Sequence, residues 1–506
     1  MRERILLARE MKLCDEYTIS TLGVPSRTLM ERAADAVVKE IMRAELDISR
    51  TVVICGSGNN GGDGFAAARF LAQSARESGI DADIKLIFVG REESMTAECL
   101  YQRKAAACAG IDETDELPCE GVTLVIDALL GIGLDRMVEG RYKEIIEAVN
   151  TLDACKVSVD IPSGINADTG EIMGAAVRAD MTLTIAAFKR GLLLYPGAEY
   201  CGKLIKADIG IGTEALENEP SVFTSLASPP FPLPRRFPFS NKGDYGKVLI
   251  VGGAKNMAGA AYLSALAAYR TGAGLVRIFS CEENRVILQT LLPEAVLITY
   301  NDESDISDKL AKAVSDSDSI VIGPGLSRSE EAEKQLWVTL EKAECPLVID
   351  ADALNILSAE HGKELPKLIK APSVITPHMG EMARLTGMSI SDLKKNAIDN
   401  AIGFAEKKGV VCCMKDARTA VSDGRNVYLN TSGSNGMSKG GSGDVLTGVI
   451  SALLAQKMTP FEAACTGVYL HGKAGETAAY ELTEYSLLAR DIAEHIPNAV
   501  RDCGVH

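Results

Sequence analysis

Through the first 220 residues, short apolar runs alternate with stretches in which apolar positions recur every three or four residues. The runs are TVVIC at 51–55, IKLIFV at 84–89, VTLVID at 122–127, KVSVD at 156–160 and MTLTIA at 181–186. Helical periodicity is expected at 3–16, at 26–45 and between several of the runs. Short β-rich runs separated by helices predict βαβ units around a mainly parallel sheet. The style returns after residue 246 with different motifs. Strands are expected at KVLIVG, LVRIFS, SIVIGPG, PLVIDA, SVITP and VVCCMK. Helices are expected at 258–271, 329–343, 380–386, 391–407, 443–456 and 460–477. The fold class is therefore α/β, in two domains that are not copies of each other.

Between them, Pro229, Pro230, Pro232, Pro234 and Pro238 forbid a regular helix and interrupt any inner strand. The expected division is 1–220, a proline-rich linker at 221–240, and 241–506. Each part is long enough for its own core. Of the 506 residues, 46% are hydrophobic and 24% charged, which is ordinary for a folded soluble protein. A net charge of -16 argues against nucleic acid as a partner, since that needs a basic footprint. It does not argue against a small anionic ligand held by glycine amides and a few lysines. No apolar run is long enough for a membrane span, and the charged N-terminus lacks a signal-peptide pattern. The 13 cysteines have no C-x-x-C spacing and the five histidines are well separated, so no zinc site is expected. A cytoplasmic enzyme is the economical expectation.

In the first domain, CGSGNNGGDGFAAARF follows a strand and opens a helix. Amides at a helix start can meet phosphate. The spacing departs from G-x-G-x-x-G, so a redox dinucleotide fold is not indicated. Asn59, Asn60 and Asp63 add polar groups that a bare turn does not need, although a turn with asparagine caps is the plainer alternative. Asp127 and Asp160 stand at the carboxyl ends of two further strands, where ligands bind in open α/β sheets. A carboxylate there could move a proton. Asn60, Asp127 and Ser163 could together bind a hard cation through oxygen. Each Asp could equally serve as a cap or loop acceptor.

The series GxGNNGGDG, D-x-x-x-G-x-G and D-I-P-S-G-I resembles the epimerase domain of the NAD(P)HX repair system over residues 1–215. The resemblance implies a Rossmann-like parallel-sheet sandwich that interconverts the R and S epimers of hydrated NADH or NADPH at C6 of the nicotinamide ring. It implies substrate contacts from Asn59, Asn60, Gly61, Gly62 and Asp63, from Gly131, Ile132, Gly133, Leu134, Asp135, Arg136 and Met137, and from Asp160. Tyr142 would line the pocket, and Asn60, Asp127 and Ser163 match K⁺ ligands. Asp160 is the candidate proton-transfer group.

In the second domain, NTSGSNGMSKGGSGDVLTG at 430–448 crowds glycines around Asp444 before an apolar run. An Asp there could simply cap the helix. The neighbouring glycines suit a loop whose amides turn inward on phosphate. No G-K-[ST] follows, so a P-loop is not expected. An acid beside a phosphate cradle suits phosphoryl transfer, with the carboxylate taking the proton of an attacking hydroxyl. Lys415 and Thr419, His378 and Glu381, Asp350 and Asp352, and Gly323 and Gly325 all fall near other strand ends.

GGSGD resembles the ribokinase-like superfamily. With GKVLIVGGA, GPGL, DADALN and TPHxGE in order, residues 235–500 resemble its ADP-dependent NAD(P)HX dehydratases. The resemblance implies phosphorylation of the 6-hydroxyl of the S epimer followed by elimination, giving NAD(P)H, AMP and phosphate. Ala260, Gly325, His378 and Asp444 would contact substrate, with Asp444 as the base. Lys415, Asp416, Ala417, Arg418, Thr419 and Gly443 would meet ADP, with Mg²⁺ as counter-ion. Asp416 departs from the usual lysine-glycine form. A homo-oligomer acting on NADHX and NADPHX is the expectation. GGSGD alone would also permit a hydroxyethylthiazole, pyrimidine or sugar kinase with a ligand-binding N-terminal domain. A third alternative is that one domain serves only as a binding or scaffold module.

Overall fold

A computed structural model describes residues 2–118, 120–360 and 368–504. The chain divides into two compact units, Arg4–Glu219 and Pro220–His506, with Met1–Glu3 grouped with the second.

The first unit is built on a seven-stranded sheet, every pairing of which is parallel. Its order is Asp112–Glu113, Asp83–Phe88, Arg50–Cys55, Leu124–Ala128, Cys155–Val159, Met181–Ile185 and Lys203–Ala207. Strands buried on both faces read as continuous apolar runs, which explains the sequence pattern. Val53, Leu124 and Ile126 pack with helices Ser26–Arg43 and Asn59–Glu77. Val52, Ile54 and Val125 pack with helix Gly140–Thr151. The chain leaves Arg50–Cys55 in one direction and returns to Leu124–Ala128 on its other side. That reversal opens a crevice beyond the carboxyl ends of these two strands.

Within the second unit the strand order is Val296–Tyr300, Leu275–Cys281, Lys247–Val251, Ser319–Ile322, Leu347–Ile349, Ser373–Ile375, Val411–Met414, Ala420–Ser422, Val427–Leu429 and Val222–Ser225. The first seven are parallel; Ala420–Ser422 runs antiparallel to both neighbours. The reversal lies between Lys247–Val251 and Ser319–Ile322. Helix Ser442–Ala455 is apolar around most of its circumference, and Val445 to Ala455 are all buried. Such a helix must lie inside a core rather than on it. A Cβ at Gly448 would overlap the Ser264 carbonyl, so glycine lets this helix touch Ala258–Arg270. Its first turn is thereby fixed against the sheet.

Four expectations change. The helix expected at 3–16 is a strand, Arg2–Leu6, followed by helix Ala8–Ser20. Ile5 and Leu6 pair in register with Phe188 and Lys189, and the Glu10 carboxylate accepts from the Leu7 amide at 2.8 Å, which starts the helix late. The stretch 221–240 is not a plain spacer. Val222–Ser225 is an edge strand, and Phe223 and Phe231 bury against Tyr428 and Phe461 with centroids 5.5–6.3 Å apart. Helix 391–407 breaks into Ile390–Lys395 and Ala397–Lys408 where Asn396 leaves helical geometry (φ -130, ψ 44). Helix 460–477 extends to Pro460–Ser486 with a kink at Thr483.

Candidate functional sites

The crevice of the first unit is a cleft of about 490 Å³. One wall is a face of helix Ala8–Ser20 carrying Met11, Lys12, Asp15 and Ile19. The other comes from the start of helix Asn59–Glu77, the start of helix Gly140–Thr151 and two strand-end segments, and holds Asn59, Asn60, Asp63, Gly131 to Arg136, Tyr142 and Asp160. Gly61 and Gly62 lie inside helix Asn59–Glu77 and do not line the cleft; a Cβ at Gly61 would overlap the Gly56 carbonyl. Met137 is 57% exposed and also lies outside the lining.

Asp160 closes strand Cys155–Val159 in a left-handed conformation, φ 66, which a non-glycine residue keeps only when its surroundings enforce it. They do. Its Oδ1 accepts from the Ile185 amide at 2.9 Å and from Nζ of Lys189. Lys189 is fully buried and also donates to Thr184 Oγ1 at 3.2 Å and the Ile185 carbonyl at 2.8 Å. Nearby, burial pushes the Asp15 carboxyl up to about 6; Lys189 pulls it down and Asp160 adds to the rise. Asp63 is raised well above the usual carboxylate range by burial, then by Asp160 and Asp15. Lys189 and Asp15 were not singled out from the sequence. The available signal was a lysine inside the apolar stretch IAAFKRGLLL.

Deeper, Asp127 is buried and accepts from Ser163 Oγ (2.5 Å), the Ser163 amide (2.9 Å) and Ser158 Oγ (2.8 Å). Burial raises its carboxyl, and the Ser163 and Ser158 hydrogen bonds oppose the rise. Asn60 Nδ2 donates to the Leu130 carbonyl at 3.1 Å, while Asn60 Oδ1 is buried with no hydrogen-bond partner among the described residues. An orphaned amide oxygen beside a carboxylate and a hydroxyl is the donor set that a hard cation takes.

In the second unit, Gly441 (φ 94) caps helix Ser442–Ala455, so Asp444 is the third helical residue and not the cap. The Gly443 and Asp444 amides fall in the first turn, where no intrahelical acceptor exists. A Cβ at Gly443 would sit 3.2 Å from Lys415 Nζ and 3.4 Å from Asp350 Oδ2. Lys415 donates to Asp350 Oδ1 at 2.8 Å. Burial pushes Asp444 up to about 7, Asp350 adds to the rise and Lys415 opposes it. Ala260 and Gly325 are also together: a Cβ at Gly325 would lie 3.0 Å from that of Ala260. His378 caps helix Met379–Thr386, its Nδ1 accepting from the Gly380 amide at 2.9 Å. Its pKa is lowered by burial, then by Lys415. The neighbouring Glu381 is raised to about 6 by burial. Lys415 to Thr419 form the turn between antiparallel strands Val411–Met414 and Ala420–Ser422. Asp416 and Ala417 are exposed there, and Arg418 donates to the Thr431 carbonyl at 2.8 Å. Among the described residues no cluster of three or more His, Cys, Asp or Glu suits a metal, and no helix is long and apolar enough to cross a membrane.

A family model described as NAD(P)H-hydrate dehydratase matches residues 248–498, and one described as YjeF-related protein N-terminus matches 26–191. A protein of Thermofilum pendens named bifunctional NAD(P)H-hydrate repair enzyme is 35% identical over 98% of this chain and 96% of its own. One of that name from Escherichia coli is 35% identical over 96% of this chain and 92% of its own. A solved ADP/ATP-dependent NAD(P)H-hydrate dehydratase of Bacillus subtilis is 33% identical, covering 53% of this chain and 94% of its own with a TM-score of 0.48. Relatives that span both units leave the small-molecule kinase reading unfavoured. The chain belongs to the family of bifunctional NAD(P)H-hydrate repair enzymes.

Proposed function

We propose that the two units divide the repair of hydrated NADH and NADPH. The first unit interconverts the R and S epimers in its cleft. Asp160 is its proton-transfer group, and Asn59, Asn60, Asp63, Tyr142 and the loop Gly131 to Arg136 hold the nucleotide. The second unit dehydrates the S epimer with ADP. Asp444 takes the proton of the 6-hydroxyl, Ala260, Gly325 and His378 hold the substrate, and Gly443 with Lys415 to Thr419 holds ADP. The observation that carries this reading is Asp444, a carboxyl poised at about 7 in a helix first turn, beside Gly443 and the Lys415–Asp350 pair. A base near the working pH and free amides for phosphate are what transfer to a hydroxyl needs.

K⁺ fits the oxygens of Asn60, Asp127 and Ser163, with the orphaned Asn60 Oδ1 as the supporting observation. It would supply fixed positive charge beside the substrate. Mg²⁺ belongs with the phosphates of the nucleotide, whose charge it would offset near Asp350 and Asp444. Cytoplasmic location and homo-oligomeric assembly are part of the same proposal.

The test is purified protein with both epimers of NADHX, K⁺, Mg²⁺ and ADP, followed by chromatography. Both epimers should become NADH, with AMP and phosphate released. Loss of neither above the buffer rate would sink the proposal. Running ATP in parallel decides the donor.

A further inference from the structure

The epimerase cleft holds an arrangement that Asp160 alone does not explain. Asp160 is tied to the buried Lys189 side chain, an ion pair that occupies its Oδ1 and fixes its position. A second carboxyl, Asp15, enters from helix Ala8–Ser20, a different element, and lines the same cleft. It is partly buried, and no hydrogen bond to its carboxyl occurs among the described residues. Lys189 and Asp160 both act on it electrostatically. Asp15 and Asp160 thus reach one cleft from different elements, one carboxyl held in an ion pair and the other without a hydrogen-bond partner among the described residues, an arrangement that can divide acid from base work.

We propose that Asp15 is a second catalytic residue of epimerisation, the general acid opposite the base Asp160, and that Lys189 is the positioning residue that holds Asp160 in place. This rests on the epimerase reading given above. The C6 atom bears a hydroxyl and adjoins the ring nitrogen, so the chemistry balances without any redox partner. The Asp15 proton passes to the hydroxyl oxygen, the C6–O bond breaks, and the nitrogen lone pair forms a C6=N bond as water leaves. Water then adds to the other face of C6, the C=N electrons return to nitrogen, and Asp160 takes the proton. Exchange with solvent returns the proton to Asp15. The charged groups that act on Asp15 are Lys189, Asp160, Asp63 and Glu16, and Lys12, Asp135 and Arg136 line the same cleft.

The experiment uses the full chain, R-NADHX and H₂¹⁸O, with epimer ratio and label followed by chromatography and mass spectrometry. Wild type should incorporate one solvent oxygen per inversion, with kcat/KM falling as pH rises through about 6. Asp15→Asn should slow inversion about 100-fold or more, the scale of general acid catalysis, and erase that limb. Dehydration of supplied S epimer should be unchanged, which shows that the variant folds. Lys189→Met should move the limb and Lys189→Arg restore it, whereas a merely structural lysine would leave the profile in place. Asp15→Asn at wild-type rate, or inversion without label, would overturn the proposal while leaving the epimerase reading intact. Wild type no faster than buffer would defeat that reading instead.

Discussion

The two sites solve the same electrostatic problem on unrelated sequences. Each lies beyond the carboxyl ends of parallel strands, and each holds a lysine–aspartate pair: Lys189 with Asp160 in the first unit, Lys415 with Asp350 in the second. Beside each pair stands a carboxyl outside it, raised to about 6 at Asp15 and about 7 at Asp444. Burial beside such a pair makes a further negative charge costly. The sites differ in what surrounds that second carboxyl. Asp15 sits mid-helix over a cleft with apolar and amide walls. Asp444 sits in a helix first turn next to unpaired amides, a place suited to phosphate.

The comparison breaks most sharply at Asp444. Asp444→Asn should lower dehydration about 10³-fold, within the range for a lost general base, and leave epimerisation untouched. Loss of both activities in a folded variant would deny two separable sites. The pairs themselves come next. Lys189→Met strands a buried carboxylate and should cost about 3–5 kcal/mol. Lys415→Met should cost more, because the carboxylate it strands, Asp350, keeps 3% of its side-chain exposure against 12% for Asp160. Urea unfolding checks this, with Trp337, the one tryptophan, reporting the second unit. Equal losses would mean that the two pairs are not graded by burial.

Much of the frame was readable because parallel strands announce themselves as apolar runs; strand ends then point to Asp127, Asp160 and Asp350, and the glycine cluster to Asp444. Pairings between distant segments were not readable. Arg2–Leu6 has helical spacing in RERILLAREMK, yet it is extended because Ile5 and Leu6 find partners at Phe188 and Lys189. Strands Ala420–Ser422 and Val427–Leu429 are three residues each, too short to show alternation. Lys189 acquires its role from Asp160, 29 positions away, and Asp15 looks like any solvated helix position until the cleft is built over it. The glycines were legible as a group, but only packing tells Gly443, beside Lys415, from Gly61, wedged against Gly56.

Asp444 also ties activity and stability to pH with opposite signs. As a base it must be ionised, so dehydration should rise as pH climbs through about 7. For folding, its native pKa of about 7 lies above the ordinary 3.8. Below 3.8 both states hold the proton and no difference arises. Between these values the unfolded chain releases the proton first, so stability falls as pH rises, and above about 7 the penalty is complete. Asp444→Asn should therefore stabilise the second unit above pH 7, by roughly 1–2 kcal/mol after allowing for partial solvation, and not below pH 4. A melting temperature that responds equally at both pH values would show that the carboxyl is not strained by burial.

The smallest effect is expected at Asp416, on the hairpin turn that follows Lys415. It is exposed and lies 3.7 Å from Lys394, itself 55% exposed. Such a pair contributes little, so Asp416→Asn should change stability by less than about 0.5 kcal/mol. If this turn meets the nucleotide, the same substitution removes a charge that repels phosphate. KM for ADP should then fall several-fold at constant kcat, and the difference should shrink as ionic strength rises and screens it. An unchanged KM would take the turn out of the nucleotide site while leaving Asp444, Gly443 and the Lys415–Asp350 pair where they are, since none of those contacts passes through Asp416.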